Sequence, residues 1–293
     1  MKNALLKMHV AVFLWGFTGV LGKAISLSEF PLVWYRTLLT SLIFLVILWY
    51  RKELKWVSAK ELKRFCLIGS IIAIHWVAFY GSIKYANASI ALVCLATAGI
   101  FTALLEPFFL KSKFNIKEMW IGMVALFGMY CIYHFEFRYA TGILLGLIAS
   151  LLSSVFTLMN KKIISDYPVR LVAFYEIGSG YLFLTLLLPL FIYYAPQVRF
   201  LPTNLDWLWL WVLSLCCTVW GQSLALSALK KLSPFTTVLM VNLEPVYGII
   251  LAILIFQENK ELGIGFVLGI VLIFLSVAIH TFNMLQDRKK SIR

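Results

Sequence analysis

Apolar residues run along this chain in ten long stretches with few polar positions between them: roughly 6–26, 31–50, 65–86, 88–110, 118–136, 140–163, 168–194, 207–229, 234–256 and 263–285. A helix needs about 20 mainly apolar residues to cross about 30 Å of hydrocarbon. A soluble helix would show a polar face at helical period, and most of these stretches show none. The separators are short and carry turn formers: "SLSEFP", "ANAS", "YAT", "SDYP" and "KKLSP". The longest connection, "YAPQVRFLPTNLD" at 194–206, leaves no room for a soluble domain. The pattern predicts an all-α integral membrane protein of ten transmembrane helices, numbered below as spans one to ten.

The stretches repeat. "SEFPLVWYRTLLTSLIFL" (28–45) resembles "SDYPVRLVAFYEIGSGYLFL" (165–184), and "GSIKYANASIALVCL" (81–95) lies over "SALKKLSPFTTVLMV" (227–241) at an offset of 146. "GMVALFG" (122–128) and "GIGFVLG" (263–269) both carry glycines six apart. Each half therefore reads as five spans, 1–137 and 138–293. Five is odd, so the second half enters the membrane upside down. Two inverted five-helix repeats around a central cavity are a recurring plan of secondary transporters.

Composition sharpens the choice of solvent. The chain of 293 residues is 62% hydrophobic and 13% charged, against about 45–50% and 25% in soluble domains. Its net charge of +13 is clustered in "RKELKWVSAKELKR" (51–64), "KSKFNIK" (111–117) and "RKKSIR" (288–293), the pattern of cytoplasmic loops and not of a nucleic-acid face. With the N-terminus inside, twenty basic residues fall on inside segments, and Lys84, Arg138, Arg199 and Lys260 alone fall outside. Both termini are expected in the cytoplasm and the protein in the cell's inner (plasma) membrane. Residues 1–25 have a signal-like charge pattern but no A-x-A site, so they read as a permanent first helix. The five cysteines show no CxxC or zinc spacing and read as reduced core residues.

Some residues are costly in lipid. An ionisable group at mid-bilayer costs about 2.5–3.5 kcal/mol on insertion scales. Glu244 lies about 15 Å into span nine, beside Pro245, which removes a backbone donor and breaks the helix. It is a site carboxylate, or else it caps amides of a neighbouring helix. Glu106, five residues before Lys111, reads as paired with Lys111 or Lys113. Arg36 ("WYR") and Glu176 ("FYE") fall at matching places in the repeat, as a gate or as an ion pair. His75, Phe79 and Ser82 share one face of span three, with Trp76 and Tyr80 beside it; span eight offers Trp220, Gln222 and Ser223. Trp15, Trp76, Tyr80 and Trp220 lie too deep for an interfacial belt, and so are core filler or pocket walls. His9, His134 and His280 are too scattered to join His75 in a metal site. No phosphate-binding GxxxxGK[ST], HExxH or Ser/His/Asp grouping occurs.

"FLWGFTG" in span one, "WYR" in span two, and "ALKKLSPFTTVLMVNLEPVYGIILAILIFQE" in spans eight and nine resemble the EamA group of the drug/metabolite transporter superfamily over nearly the whole chain. The resemblance implies a ten-helix basket in which spans three, four, eight and nine surround a cavity and spans one and six rock around them. It implies export of small metabolites such as amino acids or amines. It puts His75, Trp76, Phe79, Tyr80, Thr97, Trp220, Gln222 and Glu244 near the cavity, and Trp15 and Asn242 complete the set. Ala98-Gly99 stands where many members carry a polar residue and proline. The expectation is a non-enzymatic alternating-access transporter without cofactor or metal. Its partners would be a small-molecule substrate and the bilayer, with protons a candidate third and nucleic acid excluded. A lipid-modifying membrane enzyme and a non-transporting subunit are the alternatives.

Overall fold

The computed structural model describes residues 2–132, 139–244, 246–247 and 264–291. Among these the regular elements are helical throughout. They are α1 (Lys2–Ala24), α2 (Glu29–Tyr50), α3 (Ala59–Tyr85), α4 (Ala88–Ala96), α5 (Ala98–Leu110), α6 (Ile116–Ile132), α7 (Ala140–Ile163), α8 (Val169–Tyr194), α9 (Asn204–Val212), a π-helical segment (Leu213–Trp220), α10 (Gly221–Leu229), α11 (Pro234–Val241) and α12 (Ile264–Ser291). The separators legible in the sequence are helix caps. Asn87 of "ANAS" accepts from the Ile90 amide at 2.8 Å, and Ser233 of "KKLSP" accepts from the Thr236 amide with Pro234 in the first turn. Thr203 and Asp206 form a reciprocal capping box at the start of α9. The Asp206 carboxylate also takes the amide and hydroxyl of Ser26, each at 2.7 Å, which ties the end of α1 to the start of α9.

Seven helical stretches among the described residues are long and apolar enough to cross a membrane, α4–α5 and α9–α10 counting as one each. This is a multi-pass membrane protein. The ten expected spans exceed the seven at spans five, nine and ten. There α6 has 17 residues, α11 has 8 before the chain turns at Asn242, and the apolar stretch recognised within α12 is Val271–Asn283.

Two spans depart from the uniform helix that the hydrophobic runs suggest. Span four breaks at Thr97, whose hydroxyl donates to the Cys94 carbonyl at 2.6 Å and whose amide bonds the same oxygen. Such local bonds compete with the helical ladder. Span eight widens into the π-helical segment, a feature common at functional sites. Pro245, the expected helix break in span nine, lies outside the described residues. The chain does turn just before it, with Asn242 and Leu243 donating to carbonyls three residues back.

α3 packs along α7 and α8; α1 packs on α10, the π segment and α11; α2 on α8, α3 and the π segment; α4 and α5 on α7; α6 on α12. Close approach of α3 to α8 needs glycine. A Cβ on Gly69 would collide with the Glu176 carbonyl oxygen, and one on Gly180 would sit 2.8 Å from the Gly69 carbonyl oxygen. The cysteine reading needs correction. Cys94 and Cys217 are buried, Cys131 and Cys216 half-buried, and Cys66 lies exposed on α3. Gly69→Val is expected to force α3 from α8 and to cost about 1–3 kcal/mol or more. It would show as a lower Tm of the purified protein in detergent, with Gly69→Ala intermediate.

Candidate functional site

A cavity of about 100 Å³ lies between α1, α2, α3, α4, α7, α10, α11 and the turn that follows α11. Three tiers of α1 reach it, since Met8, Trp15 and Thr18 fall on one face at intervals of seven and three. Trp15 is fixed by its indole N–H, which donates to the Cys217 carbonyl at 2.9 Å. Gly221 makes room for that ring: a Cβ there would lie 2.7 Å from Trp15 Nε1. The π segment sets this up, because its wider turn offers the Cys217 carbonyl sideways to α1.

Arg36 enters from α2. Its Nε donates to Thr218 Oγ1 at 2.9 Å and its Nη1 to Tyr80 Oη at 3.0 Å, while the guanidinium carbon lies 3.9 Å above the Trp76 ring. A desolvated cation over a tryptophan face is worth about 2 kcal/mol. Thr218 passes its own hydroxyl hydrogen to the Leu213 carbonyl at 3.0 Å. Of the five guanidinium hydrogens, these bonds use two.

Glu244 comes from the turn after α11 and is buried. The Thr18 hydroxyl stands 3.0 Å from its Oε1 and 2.6 Å from the Trp15 carbonyl, so two acceptors compete for one hydrogen. Arg36 and Glu244 face one hollow. His75 Nδ1 lies 2.7 Å from the Ala149 carbonyl. A carbonyl only accepts, so Nδ1 carries hydrogen and Nε2 is left to the cavity. Phe156 meets the imidazole edge-on at 5.3 Å, and Phe79 stacks on it at 6.4 Å. Gln222, Asn160, Thr157, Ser153 and Thr237 add polar positions to the wall. The lining is thus amphipathic, with one cation, one carboxylate and an aromatic side of Trp15, Trp76, Phe79 and Phe156.

The structure brings together Glu244, His75, Trp76, Phe79, Trp15 and Gln222 of the expected cavity set. Four others lie elsewhere. Tyr80 is fully buried behind the guanidinium, its ring wedged where Gly22 leaves space. Thr97 turns to Ser150 of α7 at 2.7 Å. Asn242 is buried in the turn after α11, apart from the lining. Trp220 is 55% exposed, on the outer face of its helix, because Cys217 and Gly221 give the inner face to α1.

Arg36 and Glu176 form no ion pair. Arg36 belongs to the cavity, and Glu176 is wholly buried with Asn160 as its hydrogen-bond partner at 3.4 Å. Glu106 does not pair with Lys111 or Lys113. Its Oε2 is buried without a hydrogen-bond partner. Thr18, Ser153, Phe156, Thr157 and Asn160 were not expected in the lining. The signal for Thr18 was its place three residues after Trp15 on the same helical face. Asn160 was readable as a lone amide in an apolar run. Among the described residues no group of three or more His, Cys, Asp or Glu could hold a metal ion. His9 and His280 bond Tyr247 and Thr236 instead.

The model of the EamA-like transporter family matches this chain over residues 2–134 and 140–282. The chain belongs to the EamA-like transporter family. As an EamA protein it is a membrane transporter, and its relatives carry names to match. An uncharacterized transporter, YxxF, from Bacillus subtilis (strain 168) is 25% identical over 95% of this chain and 89% of its own length. An uncharacterized transporter of Archaeoglobus fulgidus is 22% identical over 86% and 89% respectively. A solved crystal structure superposes with a TM-score of 0.76 over 96% of this EamA chain and 97% of its own, at 15% identity, and so shares the fold. The family resemblance placed spans three, four, eight and nine around the cavity. In this EamA protein α1, α2 and α7 line it as well.

Thr18→Val keeps the shape of the side chain and leaves the buried Glu244 oxygen without its donor. The expected cost is about 1–3 kcal/mol, read as a lower Tm in detergent, with Thr18→Ser close to the parent.

Proposed function

We propose that this protein is a secondary transporter of small zwitterionic or amphipathic metabolites, such as amino acids and amines, working by alternating access. The observation that carries the reading is the opposed pair of Arg36 and Glu244 in one hollow with an aromatic side. A substrate carboxylate would take the unused guanidinium hydrogens, a substrate amine would meet Glu244, and an apolar group would lie against Trp15, Trp76 and Phe156. Export is the direction that the family resemblance implies.

The mechanism proposed rests on ten spans in two inverted halves, 1–137 and 138–293, with both termini in the cytoplasm and the chain in the inner (plasma) membrane. Three facts support it. The family model matches two stretches of similar length. The break after α4 and the turn after α11 fall within one residue of each other at the offset of 146 read from the sequence. The packing pattern also survives exchange of each span for the one five later. α1 on α10 becomes α7 on α3, α2 on the π segment becomes α8 on α3, α1 on α11 becomes α7 on α4 and α5, and α6 on α12 maps to itself. Under this reading α1 and α7 are equivalent arms that rock against the rest, with Arg36 and Glu176 as tuning points of the gate, not as a pair.

Counterflow in proteoliposomes tests the reading. Labelled zwitterionic amino acids are expected to exchange, and Arg36→Ala or Glu244→Ala to lower the rate roughly ten- to hundredfold, the value of one charge-assisted hydrogen bond. Glu244→Gln should affect amine-bearing solutes more than carboxylates lacking an amine. Unchanged flux and pH profile in Glu244→Gln would remove that residue from the mechanism. Product formation from labelled lipid without any flux would favour the membrane-enzyme alternative.

A further inference from the structure

Behind the cavity wall stands a second acid that the transport reading does not use for substrate. Glu176 of α8 is 0% exposed, and Asn160 of α7, 1% exposed, separates it from the cavity that Asn160 lines. The Asn160 amide donates from Nδ2 to Glu176 Oε2 at 3.4 Å. The remaining oxygen of each side chain, Glu176 Oε1 and Asn160 Oδ1, is buried without a hydrogen-bond partner. Both are acceptors while the acid is ionised, so neither can satisfy the other. A single proton on Oε1 changes this: the hydroxyl donates to Oδ1 while Nδ2 donates to Oε2, and acid and amide close a ring with two hydrogen bonds.

Among the described residues, the surroundings give the ionised form no counter-charge. On α2, the Arg36 guanidinium is held by Thr218, Tyr80 and Trp76. On α3, His75 bonds Ala149, Tyr80 bonds Arg36, Cys66 takes the Ser179 hydroxyl, and Arg64 pairs with Glu61. On α7, Lys161 caps the carbonyls of Leu229 and Leu232, and Lys162 lies over Phe109. On α8 itself Arg170 pairs with Glu53, and the Tyr175 hydroxyl goes to Lys55. Beyond α10, Lys230 bonds the Tyr167 carbonyl. An ionised carboxylate buried here would stand alone in a low dielectric, the costliest state for such a group.

We infer that Glu176 and Asn160 form a proton-binding site behind the cavity, in which the neutral carboxyl and the carboxamide close as a cyclic pair. Asn160 is shared between this pair and the cavity wall. A shift of its amide toward a cavity ligand opens the ring, takes the donor from Oε2 and the acceptor from Oε1 together, and so changes the hold of the acid on its proton. The ligand is a proton, and the device couples cavity occupancy to protonation. It rests on the transport reading only for that last step.

Infrared difference spectroscopy tests the site on the full chain reconstituted at neutral pH. The wild type minus Glu176→Gln difference is expected to show the carbonyl stretch of a protonated carboxyl, shifted by D2O. Glu176→Gln should keep the wild-type Tm, because glutamine can close the same ring with Asn160. Asn160→Leu is expected to displace the band, since the amide partner is gone. Carboxylate stretches in the difference spectrum, or a band insensitive to Asn160→Leu, would overturn the proposal. In counterflow, Glu176→Gln should flatten the pH dependence of flux relative to wild type; an unaltered profile would overturn the coupling. A protonated band without any flux would sink the transport reading and leave the proton site standing.

Discussion

Polar side chains within hydrocarbon are costly unless they are hydrogen-bonded, and the most deeply placed ones of this protein are answered by another helix. That constraint organises the molecule. The Trp15 indole is answered by Cys217 of the π segment, Arg36 by Thr218 and Tyr80, and His75 by the Ala149 carbonyl of α7. Glu244 is answered by Thr18, and the Ser154 hydroxyl by the Ala98 carbonyl at the start of α5. Each of these bonds runs between different spans, several of them far apart in sequence. Where apolar side chains meet lipid tails there is no hydrophobic preference for helix over lipid, so such bonds and the close glycine contacts fix the packing. The cavity is what remains between helices that are held by their polar groups.

The same constraint explains which parts of the structure could be read in advance. Lipid as solvent, helices as elements and caps at "ANAS" and "KKLSP" follow from composition and local chemistry, and all of them are local properties. The depth of Glu244 is also local, since a carboxylate ten residues into an apolar run has to find a hollow or a partner. It found both. Aromatic company around His75 pointed to the cavity for the same reason.

What failed depended on rotation about a helix axis, which an apolar run does not encode. Trp220 and Gln222 are two residues apart and were read onto one wall, yet the π segment turns the tryptophan outward and keeps the glutamine in. No feature of "LSLCCTVW" announces a wider turn. The supposed Arg36–Glu176 pair failed differently. Matching positions in an inverted repeat are related by symmetry and need not touch. Under the proposed repeat they stand at like depths on α2 and α8, each facing its own neighbours. Glu106 was misassigned because the nearest lysines in sequence were taken as partners, whereas one of its oxygens is buried without any.

The two buried acids then differ by what surrounds them, not by depth. Glu244 shares its hollow with a guanidinium and faces a hydroxyl at 3.0 Å. Glu176 has an amide and, among the described residues, no cation. A carboxyl beside a charge is suited to hold a charged solute; a carboxyl beside a neutral amide is suited to hold hydrogen. Asn160 stands between them, with one edge on the cavity and one on the acid. Any movement of α7 relative to α8 therefore changes both environments together. In a bundle whose packing is set by such bonds, one side chain that serves two sites is the shortest physical route by which the contents of the cavity can alter a distant charge.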